Sequence, residues 1–217
     1  MRFNVYVDGF NLYYGALRGQ PYRWLDIRQF AAALLREDDE VHRVRYFTAR
    51  VRPLPNDPEA PLRQGTYLRA LGTLPGISIH LGRFLVTQPT MMRADGAGLV
   101  RVLRSEEKGS DVNLATHLLL DACDDDFEAA LVISNDSDLT EAVREVQVRY
   151  GCPVGVALPV LSRDRSGNPR RPSKILRESA SFVRHISNSR RRLLAECQFP
   201  ETLTDARGAF TRPPEWA

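Results

Sequence analysis

Short apolar runs alternate with amphipathic segments along most of the chain, an order typical of a parallel sheet covered by helices on both faces. The β-like runs occupy residues 3–7, 41–49, 77–81, 131–134, 154–157 and 182–186. Helical spacing and helix-start signals predict helices over residues 11–17, 27–36, 61–71, 108–122 and 139–148, with a short helix from Ser173. The pattern therefore predicts an α/β fold with a central, mostly parallel sheet.

The middle of the chain departs from this alternation. Two β-like runs, residues 84–86 and 99–103, are separated by the turn sequence Asp95-Gly96-Ala97-Gly98. This arrangement predicts an antiparallel hairpin inserted at an edge of the sheet. The Gly96-Ala97-Gly98 segment could also be part of a nucleotide-binding loop, but it lacks the third glycine and lies between strands, so the turn interpretation is preferred.

Length and charge suggest how the chain is divided. Its 217 residues suffice for one large domain, or for a domain of about 150 residues with an appendage. The net charge of +3 hides an asymmetry, because residues 158–217 carry twelve Lys and Arg against six Asp and Glu. We expect a domain over residues 1–160 and a basic extension, residues 161–217, packed on it or trailing from it. The end of that extension, residues 190–214, is predicted to be peripheral.

Neither a membrane span nor a signal peptide is predicted. No run of 18 apolar residues occurs, and Asp8 interrupts the first apolar stretch before a signal sequence could develop. A cytoplasmic location is therefore expected. The three cysteines, Cys123, Cys152 and Cys197, include no Cys-x-x-Cys pair, which predicts reduced thiols and neither disulfides nor a zinc site.

Carboxylates follow the predicted strands at informative positions. Asp8 comes directly after the first strand, Asp136 and Asp138 follow the apolar strand 131–134, and Asp111 starts a helix. In an open α/β sheet, functional groups gather in the crevice outside the carboxyl ends of the strands. Three separate segments are therefore expected to direct acids toward one edge of the sheet.

Such a cluster predicts a divalent cation. Carboxylates at close range raise one another's pKa values, and a cation removes that repulsion. The four histidines form no HxxxH pair, so the available ligands are hard oxygens, which favour Mg²⁺ or Mn²⁺ over zinc. Asp121 lies about 15 Å along the helix from Asp111, and His117 about 240° around it, so both are excluded from this site.

Each acid also has a structural interpretation. Asp8 before Gly9 could form a turn, and Asp111 and Asp136 could each cap a helix. These alternatives stay open for single residues but do not explain why the acids coincide with Asn11 and with so apolar a strand. The run Asp124-Asp125-Asp126 lies at the other end of that strand and is interpreted as a solvated cap or turn. The GxSxG elbow, the GxxxxGK[ST] loop and the second Asp of a phosphoaspartyl site are all lacking.

Three blocks of the sequence resemble the signature blocks of the NYN domain, the PIN-like nuclease group that includes the LabA and DUF88 proteins. The blocks are Val7-Asp8-Gly9-Phe10-Asn11, Lys108-Gly109-Ser110-Asp111-Val112-Asn113-Leu114 and Ile133-Ser134-Asn135-Asp136-Ser137-Asp138-Leu139. The resemblance implies a three-layer Rossmann-like sandwich, and RNA as the usual substrate class. It also implies a divalent-metal site, with Mg²⁺ or Mn²⁺ held by Asp8, Asp111, Asp136 and Asp138.

Further residues follow from the resemblance and its departures. Asn11 matches the family's asparagine, where it can orient the Asp8 carboxylate or a bound water. Position 135 is Asn where the family often has Gly, which Asn can replace because it accepts left-handed backbone conformations. The inserted hairpin and the basic C-terminal segment lie outside the shared blocks, so the resemblance gives them no role.

A metal-dependent ribonuclease acting on RNA, expected to be single-stranded, is the first functional hypothesis. Tyr13 or Tyr14 could stack on the bases, and the candidate RNA-binding cations are Lys108, Arg163, Arg165, Arg170 and Arg171. Two alternatives stay open. One is a non-catalytic RNA-binding or regulatory module of the same fold, and the other is a phosphatase acting on small substrates.

Overall fold

The computed structural model describes residues 1–53, 55, 57–163 and 166–216. Its strands are β1 (Arg2–Asp8), β2 (Glu40–Ala49), β3 (Ile77–Thr87), β4 (Thr90–Met92), β5 (Leu99–Arg101), β6 (Arg104–Lys108), β7 (Ala129–Ile133), β8 (Val154–Pro159), β9 (Phe182–Ile186), β10 (Thr202–Asp205) and β11 (Gly208–Thr211). The central sheet has the order β6-β3-β2-β1-β7-β8-β9, and all neighbours are parallel except β3 and β6.

The helices are α1 (Gly9–Leu12), α2 (Ile27–Leu34), α3 (Ala60–Leu71), α4 (Ser110–Cys123), α5 (Thr140–Tyr150), α6 (Lys174–Ser179) and α7 (Arg191–Glu196). A π-helical turn, Tyr13–Leu17, continues α1, so the helix predicted over residues 11–17 is divided in two. Within the described part of the chain, no helix has both the length and the apolar character that a membrane crossing requires.

Strand alternation distributes the core over both faces of the sheet, because successive side chains of a strand point to opposite faces. Val5 and Val7 of β1 pack with α1, α2, α3 and α7, whereas Tyr6 packs with α4, α5 and α6. All five residues of β7 are buried, as expected of a central parallel strand covered on both sides. The predicted three-layer α/β sandwich with a mostly parallel sheet is confirmed.

The hairpin is present, but its predicted pairing is wrong. Residues 84–86 belong to the long strand β3 and pair with β6, not with residues 99–103. The strands β4 and β5 pair with each other in a separate two-stranded ladder beyond the sheet. The error arises because the β-like composition of 84–86 and 99–103 says nothing about register, which the charged strand β6 sets.

The C-terminal segment packs into the molecule and is not peripheral. β9 is an edge strand of the central sheet, and Leu194, Phe199 and Trp216 are buried in the main core. The Trp216 ring lies 5.9 Å from that of Tyr67 and 6.4 Å from that of Trp24. The charge asymmetry alone assigns these residues to an extension, but they complete the layer of helices next to α3.

The strand order creates a crevice beside β1. From β1 the chain continues to β2 on one side, whereas β7, on the other side, continues to β8. α2 and α5, which make these connections, lie on opposite faces of the sheet. Such a switch point leaves an open cleft at the carboxyl ends of the two central strands. Asp8 ends β1, and Ser134 and Asp136 directly follow β7 at this point.

Candidate functional site

Asp8 lies at the centre of the crevice and is 4% exposed. Its Oδ1 accepts a hydrogen bond from the backbone N–H of Asn11 (2.9 Å), which caps α1, and its Oδ2 accepts one from the Ser134 hydroxyl (2.9 Å). The cap explains why a helix begins directly after this aspartate. Both carboxylate oxygens are thus held by groups from the ends of two neighbouring strands.

The loop after β7 is tied to the same point. The Ser134 Oγ accepts from the Asp136 N–H (3.1 Å), and the Asn135 N–H donates to the side-chain oxygen of Asn11 (3.1 Å). Asp136 accepts from the Asp138 N–H (3.0 Å) and so caps the short helical turn that follows. Asn11 therefore joins the β1 and β7 loops, a positional role in addition to the orienting role expected for it.

The acids in the crevice influence one another's protonation. The pKa of Asp8 is raised from an ordinary 3.8 to about 7, mainly by burial and also by the charges of Asp111 and Asp136, while the hydrogen bonds from Asn11 and Ser134 oppose the rise. The pKa of Asp111 is raised to about 6, mainly by burial and also by the nearby charges of Asp136, Glu107 and Asp138. Three segments distant in sequence therefore converge on one acidic region, as the sequence predicted.

Asp111 reaches the crevice through a glycine turn. Gly109 adopts a left-handed conformation (φ 99°) between β6 and α4, and Asp111 is the second residue of the helix. The residue before the helix is thus Gly109, so the alternative interpretation of Asp111 as a helix cap is wrong. The Ser110 N–H and hydroxyl both donate to Glu107, which fixes the start of α4 from the preceding strand.

A groove of about 920 Å³ contains these acids together with basic side chains. It is lined by Asp8, Asp111, Asp136 and Glu107, and also by Arg163, Arg170 and Arg191. Two polar atoms of the lining residues, the Nε of Arg170 and the Oγ of Ser162, are buried with no hydrogen-bond partner among the described residues.

The other predicted site residues have different surroundings. Asp138 is exposed and does not line the groove, although its charge raises the pKa of Asp111. The Lys108 ammonium lies 3.2 Å from Glu106, and Arg171 contributes its backbone carbonyl, which accepts from the Asn135 amide (3.0 Å). Arg165 lies outside the described residues.

The charged groove residues Arg18, Glu107 and Arg191 were not predicted from the sequence. Glu107 lies on the edge strand β6, and a Cβ on Gly82 would come within 2.4 Å of its carboxylate, so Gly82 makes room for it. Glu107 lies three residues before Ser110, from which it accepts two hydrogen bonds, and this spacing is a sequence signal that could have identified it. Arg191, at the start of α7, gives no such signal, because its distance from the acids in sequence exceeds 50 residues.

The excluded residues have structural roles. Asp121 forms a two-bond ion pair with Arg45 (2.6 Å each) and accepts from the Tyr6 hydroxyl (2.6 Å). The His117 ring lies 4.2 Å from that of His80. Both are therefore engaged away from Asp111, as the helix geometry predicted.

The donor set has the chemistry of a hard-cation site, since all its side-chain donors are oxygens. Among the residues that the structure describes, however, no three His, Cys, Asp or Glu side chains stand close enough together to hold a metal ion. The four-aspartate ligand set is thus not assembled here. Each oxygen of Asp8 accepts one hydrogen bond, from Asn11 or from Ser134.

Comparison with known proteins identifies a family and two relatives. The NYN domain family model matches residues 2–183. A 6-hydroxy-3-succinoylpyridine 3-monooxygenase from Pseudomonas putida (strain DSM 28022 / S16) is 28% identical over 243 aligned positions, which cover 100% of this chain and 75% of that enzyme. A crystal structure of a protein of unknown function from Vibrio parahaemolyticus RIMD 2210633 has a TM-score of 0.50 and 23% identity, covering 86% of this chain and 93% of that one. The latter likeness concerns the fold alone.

Proposed function

The chain belongs to the NYN domain family, which is a family of PIN-like nucleases, and on this premise we propose that it is a divalent-metal-dependent ribonuclease acting on single-stranded RNA. The observation that carries the proposal is the composition of one groove. Carboxylates from three chain segments and four arginines, Arg18, Arg163, Arg170 and Arg191, line it together. A phosphodiester site needs both, since acids hold the cation and arginines bind the phosphate oxygens.

The residues that would hold Mg²⁺ or Mn²⁺ are Asp8, Asp111 and Asp136, with Asp138 close enough for its charge to reach Asp111. When bound, such a cation makes a water more acidic and neutralises charge on the phosphate. Asp8, Asp111 and Asp136 must be ionised to serve as ligands, so the raised pKa values of Asp8 and Asp111 favour activity at neutral and higher pH.

The remaining groove residues position the substrate and the acids. Arg163, Arg170 and Arg191 line the groove and are suited to bind the phosphates on either side of the scissile bond. Ser134 and Asn11 keep the Asp8 carboxylate aimed into the groove through their hydrogen bonds. Lys108 is directed toward Glu106, so we assign it a smaller contribution than the arginines.

A cleavage assay tests the proposal. We expect the protein to shorten a labelled single-stranded RNA at pH 8 in millimolar Mn²⁺ and to leave it intact in EDTA. The same samples are tested with p-nitrophenyl phosphate and with a mononucleotide. Hydrolysis of these small phosphates with intact RNA would instead indicate a phosphatase. Salt-sensitive RNA binding without turnover in either buffer would indicate a regulatory RNA-binding module.

Oxygenation of a small heteroaromatic acid is a second candidate function. The observation that favours it is that the similarity to the monooxygenase extends over the whole chain, beyond residue 183 where the NYN match ends. The residues beyond that point include Trp216, which lines a pocket rich in aromatic side chains. Uptake of O₂ that depends on 6-hydroxy-3-succinoylpyridine and a two-electron reductant, in the absence of RNA cleavage, would favour this function over the ribonuclease.

A further inference from the structure

A second cavity adjoins the acidic groove and is unlike it in character. This aromatic pocket has a volume of about 220 Å³, and its aromatic lining residues are Phe10, Tyr13, Tyr14, Tyr46, Tyr67 and Trp216. Pockets for drug-sized ligands measure about 300–1,000 Å³, so this one fits a smaller group, such as a single planar ring system. Rings of this kind gain from stacking and edge contacts with aromatic walls.

The aromatic pocket borders the groove. Phe10, Tyr14 and Arg18 line both cavities: Phe10 belongs to α1, Tyr14 to the π-helical turn, and Arg18 directly follows that turn. The Phe10 and Tyr14 rings are stacked, with centroids 6.4 Å apart and planes 21° apart. A chain that places one unit in the groove can therefore place its neighbour across these two rings and into the pocket.

The floor of the pocket is fixed close to Asp8. The Tyr46 ring packs so closely under the chain that a Cβ on Gly9 would lie 2.7 Å from its hydroxyl. Tyr46 packs edge-on against Tyr67, which packs edge-on against Trp216. The Tyr46 ring in the pocket wall therefore leaves space only for glycine at position 9. Because Gly9 directly follows Asp8, the pocket wall and the acidic site are neighbours along the chain.

The charges in the pocket point to a neutral ring with an anion at its mouth. Arg63 is already paired with Asp57 and lies 3.7 Å from Glu215, and Arg23 donates to the Glu215 carbonyl. The Arg23 guanidinium lines the pocket, 5.6 Å from the centre of the Trp216 ring, and its Nε has no hydrogen-bond partner among the described residues. Arg18 lies over the Tyr14 ring, 5.3 Å from its centre, and no described carboxylate forms an ion pair with it.

We propose that the aromatic pocket binds one nucleobase of the RNA, next to the phosphate that lies in the groove. The base stacks against Phe10 and Tyr14 at the entrance, Arg23 donates to a ring acceptor, and Arg18 contacts the phosphate between the two cavities. This inference rests on the proposed ribonuclease function. It adds that cleavage is positioned by a base that leaves the stack of its strand.

Fluorescence titration in EDTA tests the pocket without any hydrolysis. Trp216 lines the pocket, so its emission reports on the occupant. We expect adenosine 5′-monophosphate to quench the emission and to bind at least about tenfold more tightly than ribose 5-phosphate, which lacks the base. Tyr14→Ala should weaken binding of the nucleotide about tenfold and leave that of ribose 5-phosphate unchanged. Tyr14 is 42% exposed, so the variant is expected to fold.

Tyr150→Ala is the matched control, because Tyr150 is similarly exposed (39%) at the end of α5 and lines neither cavity. Equal binding of the nucleotide and the sugar phosphate, absence of nucleotide binding at millimolar concentration, or an unchanged affinity in Tyr14→Ala would each overturn the proposal. If the pocket bound benzoate, a small aromatic acid, and did not bind the nucleotide, that result would also overturn the proposal. The titration does not depend on cleavage, so a protein that binds the base but leaves RNA intact would retain the pocket and lose only the ribonuclease.

Discussion

Replacing Asp136 with asparagine is expected to lower Mn²⁺-dependent RNA hydrolysis by more than about 100-fold while the fold stays intact. Loss of groups that merely orient a metal ligand costs about 10–100-fold, and Asp136 is proposed as a ligand itself. The fold is preserved because the Asp136 Oδ1 accepts from the Asp138 N–H, and the asparagine oxygen can accept the same bond. Only the charge is removed.

The measurement is the initial rate of RNA cleavage in Mn²⁺, with the melting temperature recorded for each protein. Asp124→Asn is the matched control. Asp124 is exposed at the far end of β7, so this substitution removes the same charge outside the groove. The control should cleave RNA at the wild-type rate. Equal rates in Asp136→Asn and the wild type would exclude the acidic groove as the catalytic site.

Replacing Asp8 with asparagine is expected to change the free energy of unfolding, relative to the wild type, more favourably at pH 8 than at pH 5 when metal is absent. The folded-state pKa of Asp8 is about 7, above its ordinary value of 3.8. The stability contributed by its protonated form is thus fully present below about pH 4 and is lost as the pH rises through about 7. Asparagine does not titrate, so the variant avoids this loss.

The size of the effect follows from the two pKa values. Between pH 5 and pH 8, the free energy of unfolding of the variant should rise by about 2–3 kcal/mol relative to that of the wild type. Any change in the hydrogen bonds from Asn11 and Ser134 is independent of pH and cancels in this comparison. Urea denaturation in EDTA at the two pH values measures it, with Asp124→Asn as control. A variant-to-wild-type difference that is the same at both pH values would show that Asp8 is ionised and well solvated in the folded protein.

Much of the architecture was predictable because the burial pattern is strong. The five buried residues of β7 and the apolar runs of β1 and β8 required a covered central sheet. Once parallel strands are expected, the position of Asp8 and Asp136 directly after β1 and β7 places them at one edge. Asp111 was a candidate because it starts a helix, but its approach through the Gly109 turn cannot be deduced from strand order alone.

The errors occurred where pairing between distant segments decides the structure. The charged strand β6 has no apolar pattern, so the sequence does not predict its pairing with residues 83–87. Residues 84–86 are therefore wrongly predicted to pair with residues 99–103. The buried positions of Leu194, Phe199 and Trp216 depend on a surface formed by α2 and α3, which charge composition cannot reveal. The positions of Arg191 and Glu107 in the groove depend on the same kind of packing between distant segments.

The sequence predicted four aspartates in one cleft, and three of them, Asp8, Asp111 and Asp136, line the groove. Asp138 follows the same strand but is exposed outside the groove, a difference that its sequence position does not reveal. Sharing one cation requires the side chains of Asp8, Asp111 and Asp136 to move closer together. We therefore expect cation binding to draw these side chains together.

Thermal unfolding with and without Mn²⁺ tests this requirement most directly. For a site with a dissociation constant of about 10 μM, 1 mM Mn²⁺ stabilises the folded state by about 2.7 kcal/mol, which raises the melting temperature by about 5–10 °C in a chain of this size. We predict such an increase for the wild type and for Asp124→Asn at pH 8, and a much smaller one for Asp136→Asn. An absent increase, or one of equal size in Asp136→Asn, would contradict a metal site in the acidic groove.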